Sequence, residues 1–228
     1  MTVRRSRSRS RLHRLVWLVG VLLVAVAAAP AASAAPAPLP SARVVKGVVG
    51  GVGPWHAYPS DITALGARPR GCRSDRQLLD PQSVRAKSYA GREGGQPRRI
   101  FSSAEIVVLG YADEAAARAA FANVATYPRR CPKVVEWVCT ECDGISTTWR
   151  TRVPVARVRD QSVAWRFRDV GNLRSSGYAV VARYGASLVR VTVTRTRDIF
   201  GPHPERYPRP MPERKAVRLA RLALGGAV

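Results

Sequence analysis

Apolar and polar positions alternate most cleanly in the C-terminal half of the chain. Val163, Trp165 and Phe167 alternate with Ala164, Arg166 and Arg168, and Val189, Val191 and Val193 alternate with Arg190, Thr192 and Thr194. A period of two puts each set on its own side of a strand. The pattern predicts strands over 162–169, 178–183 and 188–194, with the valines, Trp165 and Phe167 turned inward. The last two flank Tyr184-Gly185-Ala186-Ser187, which reads as a hairpin turn. One dry and one wet side is what a half-covered antiparallel sheet requires. Residues 146–158 alternate more weakly, with Trp149, Thr151, Val153 and Val155 opposite Arg150, Arg152 and Pro154. Pro154 cannot donate to a ladder, so this is an edge or bent strand. Residues 133–138 form another short candidate.

Upstream, the β-branched run AEIVVLGY at 104–111 predicts a buried strand. Asp113 then caps a helix, with Glu114 at its positive end. Its buried face is Ala117, Phe121, Val124 and Tyr127, and Pro128 ends it. A proline-rich connection over 196–210 leads to a last helix over 212–224. Pro212 sits in its first turn, Val217, Ala220 and Leu224 form its stripe, and Leu222 lies beside it. PSDITALG at 59–66 reads as a short helix, and 67–99 shows no readable period. Residues 35–58, rich in Pro, Ala, Gly and Val, read as a linker with a short strand at 42–45. This order predicts an α+β domain over 59–228, an antiparallel sheet with helices packed on one face.

The N-terminus changes how the rest is interpreted. Arg4, Arg5, Arg7, Arg9, Arg11 and Arg14 precede the apolar run Leu15–Ala29 and the small residues Ala31-Ala32-Ser33-Ala34. That is the order of a secretory signal, and the run is shorter than the ~20 residues of a membrane-spanning helix. Ala32 and Ala34 suit the −3 and −1 positions, so residues 1–34 are expected to be removed. Retention as an N-terminal anchor is the alternative. The formal charge of +23 falls to +17 as the six signal arginines are lost. Inside a cell such charge would suggest nucleic acid. Outside, it suggests anionic lipid or wall glycan as partner, or simply a solvated basic surface.

Export also decides the reading of the cysteines. Cys72, Cys131, Cys139 and Cys142 are an even set in an exported chain, which predicts two disulfides. Three pairings can be drawn. The favoured one joins Cys72 to Cys131 and Cys139 to Cys142, with a redox dithiol at 139–142 and a zinc site as rivals.

The strand IVVLGY at 106–111, the helix DEAAARAAFANV at 113–124, Cys131-Pro132 and the hairpin YAVVARYGASLVRVTV at 178–193 together resemble the extracellular PknH-type sensor domain of actinobacteria. PSDITALG resembles the helix that opens that domain. The resemblance covers most of 59–224. It implies an α+β fold with two disulfides and a ligand groove, and it implies no catalysis. Without a kinase domain in the chain, sensing would need a separate signalling partner.

Chemistry-bearing patterns are sparse. His56 and His203 lie in a presumed linker and a loop, and no G-x-S-x-G or HExxH is present. Glu105, Glu136 and Asp169 are the acids nearest predicted strands and the candidates for a glycosidase pair. No catalytic residue, cofactor or metal ligand is assigned. The remaining candidate site is aromatic and basic. Trp149, Arg150, Trp165 and Arg166 would form an apolar groove with a basic rim for an anionic amphiphile or glycan, if they share a face. The alternative puts the tryptophans in the core under snorkelling arginines. The expectation is an exported, non-enzymatic, sensor-like binding domain at the cell envelope. Its rivals are an envelope hydrolase and a basic wall-associated structural protein.

Overall fold

The computed structural model describes residues 38–51, 53–60, 81–93, 100–137, 145–171, 173–198 and 206–225. Among these residues, eight antiparallel strands form one sheet in the order β1-β2-β3-β8-β7-β6-β5-β4. They are β1 Trp55–Pro59, β2 Ser83–Glu93, β3 Ile100–Gly110, β4 Lys133–Trp137, β5 Ile145–Val153, β6 Gln161–Val170, β7 Leu173–Tyr184 and β8 Ser187–Asp198. Two meanders, β1–β3 and β4–β8, meet where β3 pairs with β8. The link between them therefore travels from the sheet centre to its far edge. Helix α2, Glu114–Arg130, makes that crossing over one face. Short strands stand at both edges, which limits the unpaired backbone exposed there.

The predicted hairpin is present. Gly185 and Ala186 form the two-residue turn of β7 and β8, and Gly185 takes a φ of 53°, a left-handed backbone that glycine adopts freely. The Asp113 carboxylate accepts from the Ala116 amide at 2.7 Å, the predicted cap of α2. Pro128 does not end α2 but lies inside its last turn, and the helix runs on to Arg130.

Helices lie on both faces of the sheet, not on one. On one face α2 buries Ala117, Ala120, Phe121 and Val124 against Val107, Leu109, Val163, Trp165, Val181 and Leu188. On the other, α1 (Ala42–Val49) and α3 (Glu213–Ala223) cover Ile106, Val108, Ala164, Val180, Val189 and Val191. The central strands are thus dry on both sides, which is why IVVL in β3 and AVVA in β7 read as continuous apolar runs. Ala164, expected to point outward, is fully buried under the second layer.

Residues 38–51 and 53–59 belong to the domain and are not a linker. The expected strand at 42–45 is the first turn of α1. Ser41 caps it, Val45 and Val49 meet the core four residues apart, and Gly50 stops it at φ 85°. The β-branched valines favour a strand locally, but burial of one helical face outweighs that preference. Strand β2 arose where no pattern was readable, and β5 stops at Val153, before Pro154. In α3 the buried set is Ala216, Val217, Leu219, Ala220 and Ala223, one face that includes Leu219 and leaves Leu224 at the C-cap. The expected helix at 59–66 lies outside the described residues from 61 onward.

Candidate functional site

Strand register sorts the predicted groove residues. Trp149 pairs with Arg168, Thr151 with Arg166 and Val153 with Ala164, so Trp149 and Arg166 share the face covered by α1 and α3. Arg150 pairs with Phe167 and Arg152 with Trp165, which puts Arg150 and Trp165 on the α2 face. The four residues do not form one groove. Trp165 is core, 6% exposed, and meets the Tyr127 ring edge-on at 6.4 Å. Arg150 lays its guanidinium 4.8 Å from the centre of the same Tyr127 ring, sealing the end of α2. The core reading holds for this pair.

Trp149 is different: it is 41% exposed, and Lys133 stacks on it at 5.9 Å from the cross-strand position. Beyond the ends of α1 and α3, its face carries a grid set by register. One row runs Trp149, Arg168, Ser176, Arg195 and Ser102, and the next runs Val170, Arg174, Arg197 and Ile100. Arg166 stands one row nearer α3, opposite Tyr178. Five arginines thus project from three adjacent strands onto one side.

Residues 206–210 cross this grid as a strap. The Ser176 hydroxyl donates to the Pro208 carbonyl, and an Arg195 amino group donates to the Arg209 carbonyl at 3.3 Å. The strap holds Tyr207 between two guanidinium groups, Arg168 at 5.5 Å and Arg174 at 5.2 Å from its ring centre. Arg174 Nε is buried with no hydrogen-bond partner among the described residues. Trp149, Thr151, Arg166, Phe167, Arg168 and Tyr207 enclose a cleft of about 380 Å³. Its walls offer aromatic surface and guanidinium donors, the means to hold an anionic group beside an apolar or sugar-like body.

The sequence left Tyr207, Arg174, Arg195 and Arg197 out of the site. The alternation in TRTR at 194–197 carried a signal for the last two, since both fall on one side of β8. Tyr207 had none, because only the path of the strap brings it over β6 and β7.

Among the described candidates, Glu105 and Asp169 do not converge. Glu105 accepts from Arg190 at 2.9 Å, and Asp169 accepts from the Thr148 hydroxyl at 2.9 Å. They stand on β3 and β6, three strands or roughly 14 Å apart, too far for a glycosidase pair. His56 is exposed on β1, 6.3 Å from the Tyr58 ring, and His203 lies outside the described residues. Glu136 lies on the edge strand β4. Among the described residues no three His, Cys, Asp or Glu side chains cluster as metal ligands, and no helix is long and apolar enough to cross a membrane. Cys131 is buried and disulfide-bonded at the end of α2, while Cys72, Cys139 and Cys142 lie outside the described residues.

No family model and no curated protein matches the chain. Among solved structures it is similar to the extracellular domain of PknH from Mycobacterium tuberculosis, at 11% identity and a TM-score of 0.47, covering 81% of this chain and 92% of that one. It is also similar to an uncharacterized protein from Mycobacterium smegmatis, at 14% identity and a TM-score of 0.35, covering 82% of this chain and 97% of that one.

Proposed function

We propose that the protein is an exported, non-enzymatic, sensor-like domain that binds an anionic envelope ligand in the Trp149–Arg168–Tyr207 cleft. Residues 1–34 direct export and are removed. Cys72–Cys131 and Cys139–Cys142 are the disulfides. The observation that carries the ligand reading is the placement of Arg166 and Arg168 together in the cleft wall beside Trp149 and Tyr207. Two like charges on one face of a strand repel each other, and an anion bound beside both lowers that cost. The neighbouring Trp149 supplies a flat apolar surface for the uncharged part of the ligand, a sugar ring or an acyl stem.

The test is a thermal-shift screen of the purified protein against wall glycans and short-chain anionic lipids below their micelle concentration. A ligand should raise the melting temperature of the native protein, and Arg168→Ala and Tyr207→Ala should each abolish that rise. Absence of any shift, or a shift unchanged in both variants, would overturn the cleft as the site.

A further inference from the structure

The two faces of the sheet differ in charge, and the α3 arginines that carry this difference lie outside the cleft. Arg214, Arg218 and Arg221 are exposed on α3, while Ala216, Ala220 and Ala223 are buried. At about 100° per residue the three arginines fall within an arc of about 60° directly opposite the buried side. They therefore point away from the sheet, on the same side of the molecule as the arginine grid. Among the described side chains, Glu213 is the single carboxylate on this face. Glu105, Asp113, Glu114 and Asp169 all lie on the α2 side, where they offset its cations. Asp160 pairs with Arg183 beside the β7–β8 turn.

A groove of about 640 Å³ runs alongside α3. Val48, Ala156 and Val217 contribute apolar surface to it, and Arg214, Arg218 and Arg221 its cationic rim. An apolar floor under a ring of guanidinium groups matches an amphiphile with a negative head better than a uniformly polar polymer. Lys215 donates to the Val49 carbonyl and so ties α3 to the end of α1, holding the groove walls together. Val44 of α1 is 43% exposed.

We infer that the α1–α3 face is a docking surface for an anionic phospholipid bilayer, with lipid headgroups gathered by Arg214, Arg218 and Arg221. The charge is spread over a helix stripe and a strand grid, which suits laterally mobile lipids that can collect beneath it. Docking of this kind turns the cleft toward the membrane surface and the α2 face toward solvent. Attraction should weaken with salt as the Debye length shortens.

The experiment is co-sedimentation with vesicles of phosphatidylglycerol mixed into phosphatidylcholine, against phosphatidylcholine alone. The triple variant Arg214→Glu/Arg218→Glu/Arg221→Glu is compared with Arg118→Glu/Arg129→Glu/Arg152→Glu, which changes net charge equally on the α2 side. Native protein should bind the anionic vesicles in a salt-sensitive way. The α3 triple should lose about tenfold or more in partitioning and the α2 triple about twofold at most. The Gln triple at the α3 positions serves if the Glu triple fails to fold, and should lose about threefold or more. Equal losses in the two triples, or capture by anionic wall polymer with no vesicle binding, would overturn the inference. Tyr207→Ala keeps the charge and should leave vesicle binding intact, so failure of the cleft and failure of the docking face are read separately.

Discussion

The Tyr89 hydroxyl donates to the Pro40 carbonyl at 2.6 Å, joining the middle of β2 to the residue just before the cap of α1. Both groups would be costly to bury alone. Tyr111, by contrast, buries a hydroxyl with no hydrogen-bond partner among the described residues. Tyr89→Phe should therefore lower stability by about 1–2 kcal/mol, while Tyr111→Phe should be neutral or mildly stabilising. Urea denaturation of the two variants beside the native protein checks the contrast, which size and ring packing cannot produce.

The same two phenols set the alkaline limit of the fold. Burial pushes Tyr89 up to about 12, and Tyr111 likewise to about 12. The unfolded chain releases these protons near pH 10. Between about 10 and 12 the folded state holds more protons, so their contribution is complete below that window and falls as pH rises through it. The slope should reach roughly 1.4 kcal/mol per pH unit for each phenol. Denaturation across that range should show the decline, and Tyr111→Phe should make it about half as steep.

Two glycines lie under neighbouring aromatics, with different room to give. A Cβ on Gly177 would stand 2.1 Å from the Val193 carbonyl oxygen and 2.7 Å from the Phe167 ring. A Cβ on Gly91 would stand 2.2 Å from Trp55 Nε1, a side chain on the short edge strand β1. Central-sheet backbone cannot move aside, whereas an edge tryptophan can. Gly177→Ala should cost about 3 kcal/mol or more and Gly91→Ala about 1–2. Thermal melts of the two variants decide the order.

Cys131 caps α2 and is bonded there. Peptide mapping of the unreduced protein should recover Cys72 joined to Cys131 and Cys139 joined to Cys142. Reduction should then lower stability by roughly 3–4 kcal/mol, most of it from the larger loop. Recovery of Cys131 linked to Cys139 or Cys142 would replace that pairing.

The elements legible in the sequence were those whose burial is one-sided or whose turn chemistry is local. The β7–β8 hairpin followed from Gly185 and the valines, and α2 from Asp113 and its apolar stripe. What misled was burial on both sides. Ala164 looked outward because alanine is small and Arg166 and Arg168 follow it, yet α3 covers that face. Helix α1 was hidden by valines that suit a strand until Val45 and Val49 find a core. The site was half legible. Trp149 and Arg166 do share a face, but Trp165 and Arg150 fall across the sheet, because a strand's alternation names two sides without saying what covers each. Tyr207 reaches its place by a proline-rich path that no periodicity describes.

The pairing of β3 with β8 has a consequence for how the chain assembles. Within each meander, neighbouring strands follow one another along the chain, but Ile106 and Val191 meet from far apart in sequence. Closing that gap costs chain entropy before any contact across it is gained. The two halves can zip locally and then wait on this seam, with α2 already spanning the ground between them. Weakening the seam, as Val191→Ala would, should slow refolding more than an equal loss of stability placed at the β1 edge.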